Sequence, residues 1–364
     1  MELGVGGFMK KKWGIIVAGV IVGLAAICLS LFGNPANMAF CVACFIRDTA
    51  GALGLHRAEA VQYIRPEVIG IVLGAFIIGF IKKDFAPKGG SSPFTRFILG
   101  TCVMTGALIF LGCPLRMVLR IAGGDLNAVV GFIGFVGGIL TGIFFLNRGF
   151  SLKRSYDQPM AEGTALPAVN VLLLVLLIAA PAFVFFSETG PGSMHAPLML
   201  SLAAGLVVGI VAQRSRLCFI AGIRDSVLFR DFRMLICFAI IFVTVLIGNL
   251  ISGKFKPGFA DQPIAHTEWI WNILGLYLVG FGSVLLGGCP LRQLVLAGSG
   301  NSDAAVTVLG FLTGAAICHN FGLASSAAGT TQNGRIAFVV CLVIITAIAV
   351  LNTKKTSQTQ GATA

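Results

Sequence analysis

Gly112-Cys113-Pro114-Leu115-Arg116 recurs unchanged as Gly288-Cys289-Pro290-Leu291-Arg292, 176 residues further along the chain. A second pair of segments keeps nearly the same offset. Cys41–Asp48 reads CVACFIRD and Cys218–Asp225 reads CFIAGIRD, both C-x4-I-R-D and 177 residues apart. The flanks agree as well: Gly134-Phe135 answers Gly310-Phe311, and Gly138 answers Gly314. Two distinct motifs at one offset mark a duplicated unit. The chain divides into a first half over 1–187, read with one extra helix, and a second half over 188–364.

What surrounds the motifs sets the fold class. Hydrophobic residues make up 57% of the 364 residues and charged residues 11%, against roughly 45–50% and roughly 25% in soluble domains. So few charges cannot cover a soluble fold of this size. The 47 glycines and 3 tyrosines suit closely packed membrane helices. The expected fold is all-α, a polytopic membrane protein in one integral membrane domain.

Stretches long enough to cross a roughly 30 Å hydrocarbon core fall at Trp13–Leu31, Pro66–Ile81, Pro93–Leu111, Leu126–Leu146 and Pro167–Phe186. Five more fall at Ala196–Val211, Phe232–Ile251, Trp269–Leu286, Asp303–Phe321 and Arg335–Leu351. That makes about ten transmembrane helices. The net charge of +12 lies in the connections between apolar runs rather than on one basic face, so it reads as a topology signal and not as a nucleic-acid surface. With both termini cytoplasmic, nine of the 11 lysines are inside, Lys254 and Lys256 being the exceptions. Lys10–Lys12 ahead of the first run resemble a signal peptide, but the run leads into further spans and reads as a retained helix. The tail after Lys355 reads as disordered, and no segment is long enough for a soluble domain.

Parity gives the duplication its geometry. The first C-x4-I-R-D follows span one and the second follows span six. If the motif segments are re-entrant, the halves have opposite orientation, an inverted repeat of the kind found in transporters. Gly112 breaks one helix and Pro114 suits the first position of the next, which stops at Gly123-Gly124. The twin runs from Pro290 to Gly298-Ser299-Gly300. Both are too short to span and read as re-entrant half-helices, with Cys113 and Cys289 at their N-terminal tips. Free N–H groups and the positive dipole end there attract anions.

Cys41 and Cys218 are further thiols along the same path. Arg47-Asp48 and Arg224-Asp225 read first as internal ion pairs that hold the loops, with anion attraction at the two mouths as the alternative. Arg116 and Arg292, without an adjacent acid, are candidates for electropositive guidance. Cys28, Cys102, Cys237, Cys318 and Cys341, in apolar helices without repeated context, read as packing residues. Ten cysteines in a largely lipid-embedded chain imply no disulfide framework. Cys41 and Cys44 form a CxxC, but Ala221 replaces Cys44 in the second copy. The histidines at 56, 195, 266 and 319 share no spacing with the motif cysteines, so no metal site is expected. Asp125 and Asp303 read as N-caps. With no P-loop, no dinucleotide fingerprint and no paired catalytic carboxylates, neither an enzyme nor a cofactor is expected.

The paired GCPLR loops and C-x4-I-R-D segments resemble the YeeE/YedE family of bacterial inner-membrane proteins, over about Cys41 to Gly314. The stretch CVACFIRDTAGALGLHRAEAVQYIRPE resembles its selenium-metabolism YedE branch. The resemblance implies uptake of a small sulfur anion such as thiosulfate, handed between cysteine thiols in the waist of an hourglass, or of a selenium counterpart. It implies Cys113 and Cys289 as waist thiols, and a small TusA-like chalcogen carrier as a cytoplasmic partner. The expectation is therefore an inner-membrane importer in the lipid bilayer whose pathway runs along Cys113, Cys289, Cys41 and Cys218. Gly112, Pro114, Arg116, Gly288, Pro290, Arg292, Arg47 and Arg224 would support it. The rival is a membrane thiol–disulfide oxidoreductase built on Cys41 and Cys44.

Overall fold

The computed structural model describes residues 5–353, with the backbone alone over 5–12; the tail after Lys355, read above as disordered, lies outside the described residues. Fourteen α-helices follow one another: α1 Val5–Leu31, α2 Val42–Ala52, α3 Pro66–Ile81, α4 Pro93–Phe110, α5 Pro114–Ala122, α6 Leu126–Asn147, α7 Met160–Ala179, α8 Leu198–Ser215, α9 Phe219–Phe229, α10 Arg233–Ile251, α11 Trp269–Leu286, α12 Pro290–Gly298, α13 Ser302–Asn320 and α14 Gln332–Leu351. Among the described residues ten segments are long and apolar enough to cross a bilayer, and the chain is a multi-pass membrane protein. Seven α-helices precede residue 187 and seven follow it. What the first half carries beyond the second is the single-turn 3-10 helix Glu59–Val61 and a two-stranded ladder joining Lys88–Gly89 to Tyr156–Asp157.

Glycines set how the long helices pack, because only a bare Cα lets two backbones come this close in lipid. A Cβ on Gly70 would lie 2.6 Å from the Leu202 carbonyl oxygen, and one on Gly74 would strike that of Leu206, so α3 and α8 run parallel. Gly19 meets Ile240 and Gly23 meets Thr244, making α1 and α10 parallel. By the same reading α4 is parallel to α13, through Gly100 on Thr307 and Gly314 on Thr101. Likewise α6 is parallel to α11, through Gly134 on Ile273 and Gly138 on Tyr277. The pair α4 and α11 is the reverse: Gly106 faces Gly275 while Val103 faces Gly282, so these two are antiparallel.

These directions place the short helices. Because α4 opposes α11 and α11 follows α6, helices α4 and α6 run in opposite senses, and α5 between them turns back on the face it came from. Asn34, just past α1, donates a 2.7 Å hydrogen bond to Glu67 in the first turn of α3. Helix α2 therefore turns back on that same face. Helices α9 and α12 do so on the opposite one.

The sequence reading is corrected at the fifth span and at one helix cap. The fifth span is Met160–Ala179, with Pro167 inside it rather than at its start. The chain reverses early because Ala180 takes a left-handed conformation (φ 42°) ahead of Pro181. Asp125 does cap α6, accepting from the Asn127 N–H at 2.9 Å. Asp303 does not cap α13: Asn301 holds that position, accepting from Ala304 N–H at 2.8 Å, and Asp303 instead receives the Ser91 N–H at 3.0 Å.

Candidate functional site

All four motif cysteines occupy the N-cap positions of short helices: Cys41 of α2, Cys113 of α5, Cys218 of α9 and Cys289 of α12. Each is at most 4% exposed. The local sequence explains the placement. Leu111 closes α4 in a left-handed conformation (φ 62°), Cys113 is extended, and Pro114 opens α5 with its φ already suited to a helix. The glycine of GCPLR has a definite purpose. A Cβ on Gly112 would stand 2.9 Å from Arg116 Cδ, and one on Gly288 would stand 2.9 Å from Arg292 Cγ. A bare Cα at each site lets the arginine four residues later fold back over the turn.

The structure brings the motif thiols together in two pairs. Cys41 and Cys113 lie within hydrogen-bonding reach of one another, and so do Cys218 and Cys289. Cys113 therefore meets Cys41, and Cys289 meets Cys218; the two GCPLR cysteines belong to different pairs. Helix starts converge on each pair. The Cys44 N–H donates to Cys41 Sγ at 3.4 Å, the N–H groups of Ala43 and Arg116 lie near Cys113, and those of Phe219 and Arg292 lie near Cys289. Two half-helices entering from one face thus point positive ends at one pair of sulfurs. A second couple from the opposite face does the same.

The surroundings of the two pairs differ. Around Cys41–Cys113 the protein is closed. Arg116 is fully buried and donates to the carbonyls of Asn37, Leu111, Pro263 and Ile264, and to Cys44 Sγ at 3.5 Å. Cys44 in turn donates to the Leu111 carbonyl at 3.9 Å. Arg116 meets no carboxylate among the described residues, so its charge polarises the pocket. These acceptors hold the guanidinium in place. Nearby, Asp48 accepts from Arg47 at 2.7 Å and from Arg65 at 2.7 Å, all three nearly or fully buried. The ion-pair reading of Arg47-Asp48 thus has its geometry, with Arg65 added. Arg65 also grips the Pro191 and Met194 carbonyls at 2.7 and 3.0 Å, tying the segment between α7 and α8 over this end.

Cys218 opens onto a cavity of about 870 Å³ lined by the middle of α1, the last turn of α8, α9 and the first turn of α10. Arg214, Arg216, Arg224, Arg233 and Arg292 face it. The Arg224–Asp225 pair, 2.8 Å apart and half-buried, sits in its wall. Arg292 donates to Gln213 at 3.4 Å. Among the described residues no cluster could hold a metal ion, and all ten cysteines are unbridged.

Sequence reasoning missed Arg65 and Arg216. Arg65 sits in the Tyr63-Ile64-Arg65-Pro66-Glu67 stretch, where its only signal was an arginine next to a helix-opening proline. Arg216 stands two residues before Cys218, in a basic run with Arg214. The set-aside Cys102, Cys318 and Cys341 meet around Thr105, with Cys318 donating to Thr105 Oγ1 at 3.5 Å.

Two relatives share part of this sequence. The Thiosulfate transporter TsuA of Escherichia coli K12 is 25% identical over 124 residues, and that of Spirochaeta thermophila is 32% identical over 115. These stretches cover 34% and 31% of this chain and 35% and 34% of the relatives, so the chain spans about a third of the length of the curated relatives it matches. A family model described as Sulphur transport matches residues 4–113 and 214–363. The first block holds Cys41 and Cys113, and the second holds Cys218 and Cys289. With one thiol pair in each matched block and most of the chain covered, the chain belongs to the Sulphur transport family.

Proposed function

We propose that this protein imports a small sulfur-containing dianion, thiosulfate or a selenium counterpart, through an inverted repeat whose two thiol pairs line one path. The observation that carries the reading is the meeting of Cys41 with Cys113 and of Cys218 with Cys289, each pair at the converging N-termini of two half-helices. The antiparallel packing of the corresponding helices α4 and α11 supports the inversion. The lysine distribution supports cytoplasmic termini in a bacterial inner membrane, an orientation in which the Cys218 cavity faces the cytoplasm.

An anion shedding water on this path meets fixed substitutes in turn. Helix N–H groups and nearby guanidiniums offset its charge. Thiol S–H groups donate weakly to its large, polarizable sulfur, so binding is not too tight for release. Nothing in this sequence of contacts makes or breaks a covalent bond. A TusA-like carrier collecting the cargo in the cytoplasm fits this direction of transfer.

Uptake of labelled thiosulfate, selenite and sulfate into proteoliposomes tests the proposal. Cys113→Ala and Cys289→Ala should each abolish uptake while the protein still elutes as a folded species, and sulfate should not be taken up by the unaltered protein. Full transport in both variants would overturn it. The Cys41/Cys44 dithiol favours a second reading, a thiol–disulfide oxidoreductase. That reading requires Cys44→Ser to be inactive and a disulfide to titrate with redox potential, whereas import predicts that Cys44→Ser is mild.

A further inference from the structure

We infer that the arginine-lined cavity contains a binding site for a doubly charged oxyanion, held between Arg216 and Arg292 beside the Cys218–Cys289 pair. The inference rests on the transport reading and gives it a cytoplasmic staging point.

Charge pairing in the cavity carries the argument. Of the five arginines at its wall, three have acidic partners: Arg214 with Asp84 at 3.1 Å, Arg224 with Asp225 at 2.8 Å, and Arg233 with Asp231. Arg216 and Arg292 are left without a carboxylate among the described residues. Both also line an adjoining space of about 310 Å³ with Gln213, Arg214 and Asp84. They are close enough for their charges to repel, and Arg292 lies near both Cys218 and Cys289. Arg216 is exposed and Arg292 partly buried, so an anion drawn between them offsets a repulsion that water only partly screens, and two surplus charges match a divalent one. Guanidinium forks suit the planar edges of an oxyanion. The Gln213 side chain supplies a neutral amide on the same wall. At Arg216 the chain leaves α8 in a left-handed conformation (φ 56°) and enters Cys218 two residues later, so the site and the thiols share one rigid junction.

The same chemistry would accept a free dianion or the phosphate of an anionic lipid, since the wall includes exposed apolar surface of α1 at Val17. The commitment here is to the free dianion. The probe is labelled thiosulfate, bound to the unaltered protein in nanodiscs of phosphatidylcholine or of phosphatidylglycerol, with sulfate as competitor. A nanodisc encloses no compartment, so binding is read apart from transport. The expected result is binding in both discs, displaced by sulfate and weakened by salt. Arg216→Gln and Arg292→Gln should each lower it about tenfold, the loss of one charged hydrogen-bonding partner. Unchanged binding in Arg216→Gln overturns the proposal. So does an absence of thiosulfate binding with phosphatidylglycerol retained in an Arg216-dependent manner, which would assign the arginines to lipid. Transport by Cys113→Ala or Cys289→Ala would instead count against the thiol path and leave the binding result standing.

Discussion

Arg65 shares the Asp48 carboxylate with Arg47, at 2.7 Å from a position 17 residues further on, and with no exposed surface on either side chain. The charged centre of the C-x4-I-R-D motif is thereby tied to the start of α3. Through the Pro191 and Met194 carbonyls it is tied also to the segment between α7 and α8. Among the described residues the second copy has no second salt-bridged arginine: Arg224–Asp225 is partly exposed and stands at the cavity wall. One face of the molecule is latched and the other is open.

Removing one member of that buried set should be severe. Asp48→Asn leaves two guanidiniums without compensation in a site closed to water, and breaking a buried pair costs about 3–5 kcal/mol. Thermal unfolding in detergent should show a drop of many degrees, and proteolysis should begin within 187–196. Arg224→Gln, where water can replace the lost partner, should unfold within about 1 kcal/mol of the unaltered protein. Equal losses in the two variants would contradict the difference in burial.

Helix contact through glycine makes a second prediction. A Cβ on Gly74 or Gly134 would overlap a carbonyl of the facing helix, whereas one on Gly79 would have its nearest neighbour at 3.8 Å. Gly74→Ala and Gly134→Ala should therefore lower thermal stability, each by about 1–3 kcal/mol as in other overpacked interiors. Gly79→Ala should be neutral or slightly stabilising, because alanine is the better helix former. The order of the three unfolding temperatures is the check.

Much of this architecture was legible in the sequence, and the gaps have physical causes. Pro66 and Trp269 open helices where the apolar runs begin, so α3 and α11 match their expected limits. Pro167 misled because proline favours the first turn of a helix, whereas here it stands past that turn in a helix that begins earlier, at Met160. Asp303 resembled a cap in sequence, but Asn301 is better placed for it and the Asp303 carboxylate is drawn to Ser91 instead. The motif cysteines were identifiable from repetition. Their pairing was not, because the meeting of Cys41 with Cys113 depends on two helices folding back on one face. Arg65 and Arg216 carry no repeat signal; their roles come from partners distant in sequence.

Acid should expose the link between α11 and α14. Glu268, just ahead of α11, accepts from Thr330 N–H at 3.1 Å, from Thr330 Oγ1 at 2.5 Å and from Arg335 at 3.1 Å. Burial pushes its pKa up, but these hydrogen bonds and the Arg335 charge outweigh that and hold it below the ordinary value of 4.5. A carboxylate with a lowered native pKa adds stability above its unfolded pKa and loses it as pH falls through the native one. The stability gap between the unaltered protein and Glu268→Gln should thus be full at neutral pH and close progressively below about pH 4.5. A gap that persists at pH 3 would show that the carboxylate charge is not its source.

The two motif arginines should separate stability from transport. Arg116 satisfies four backbone carbonyls in a closed pocket, and each acceptor left unpaired in a buried site costs about 1–3 kcal/mol. Arg116→Gln reaches few of them, so its unfolding temperature should fall sharply and its uptake should fall with it. Arg292 has one side-chain hydrogen bond, to Gln213, and faces an open cavity. Arg292→Gln should unfold nearly as the unaltered protein does, yet take up thiosulfate more slowly, with most of the deficit seen at low salt, where unscreened charge counts most. If instead Arg292→Gln is unstable and Arg116→Gln is not, the open and closed ends of the path have been assigned the wrong way round.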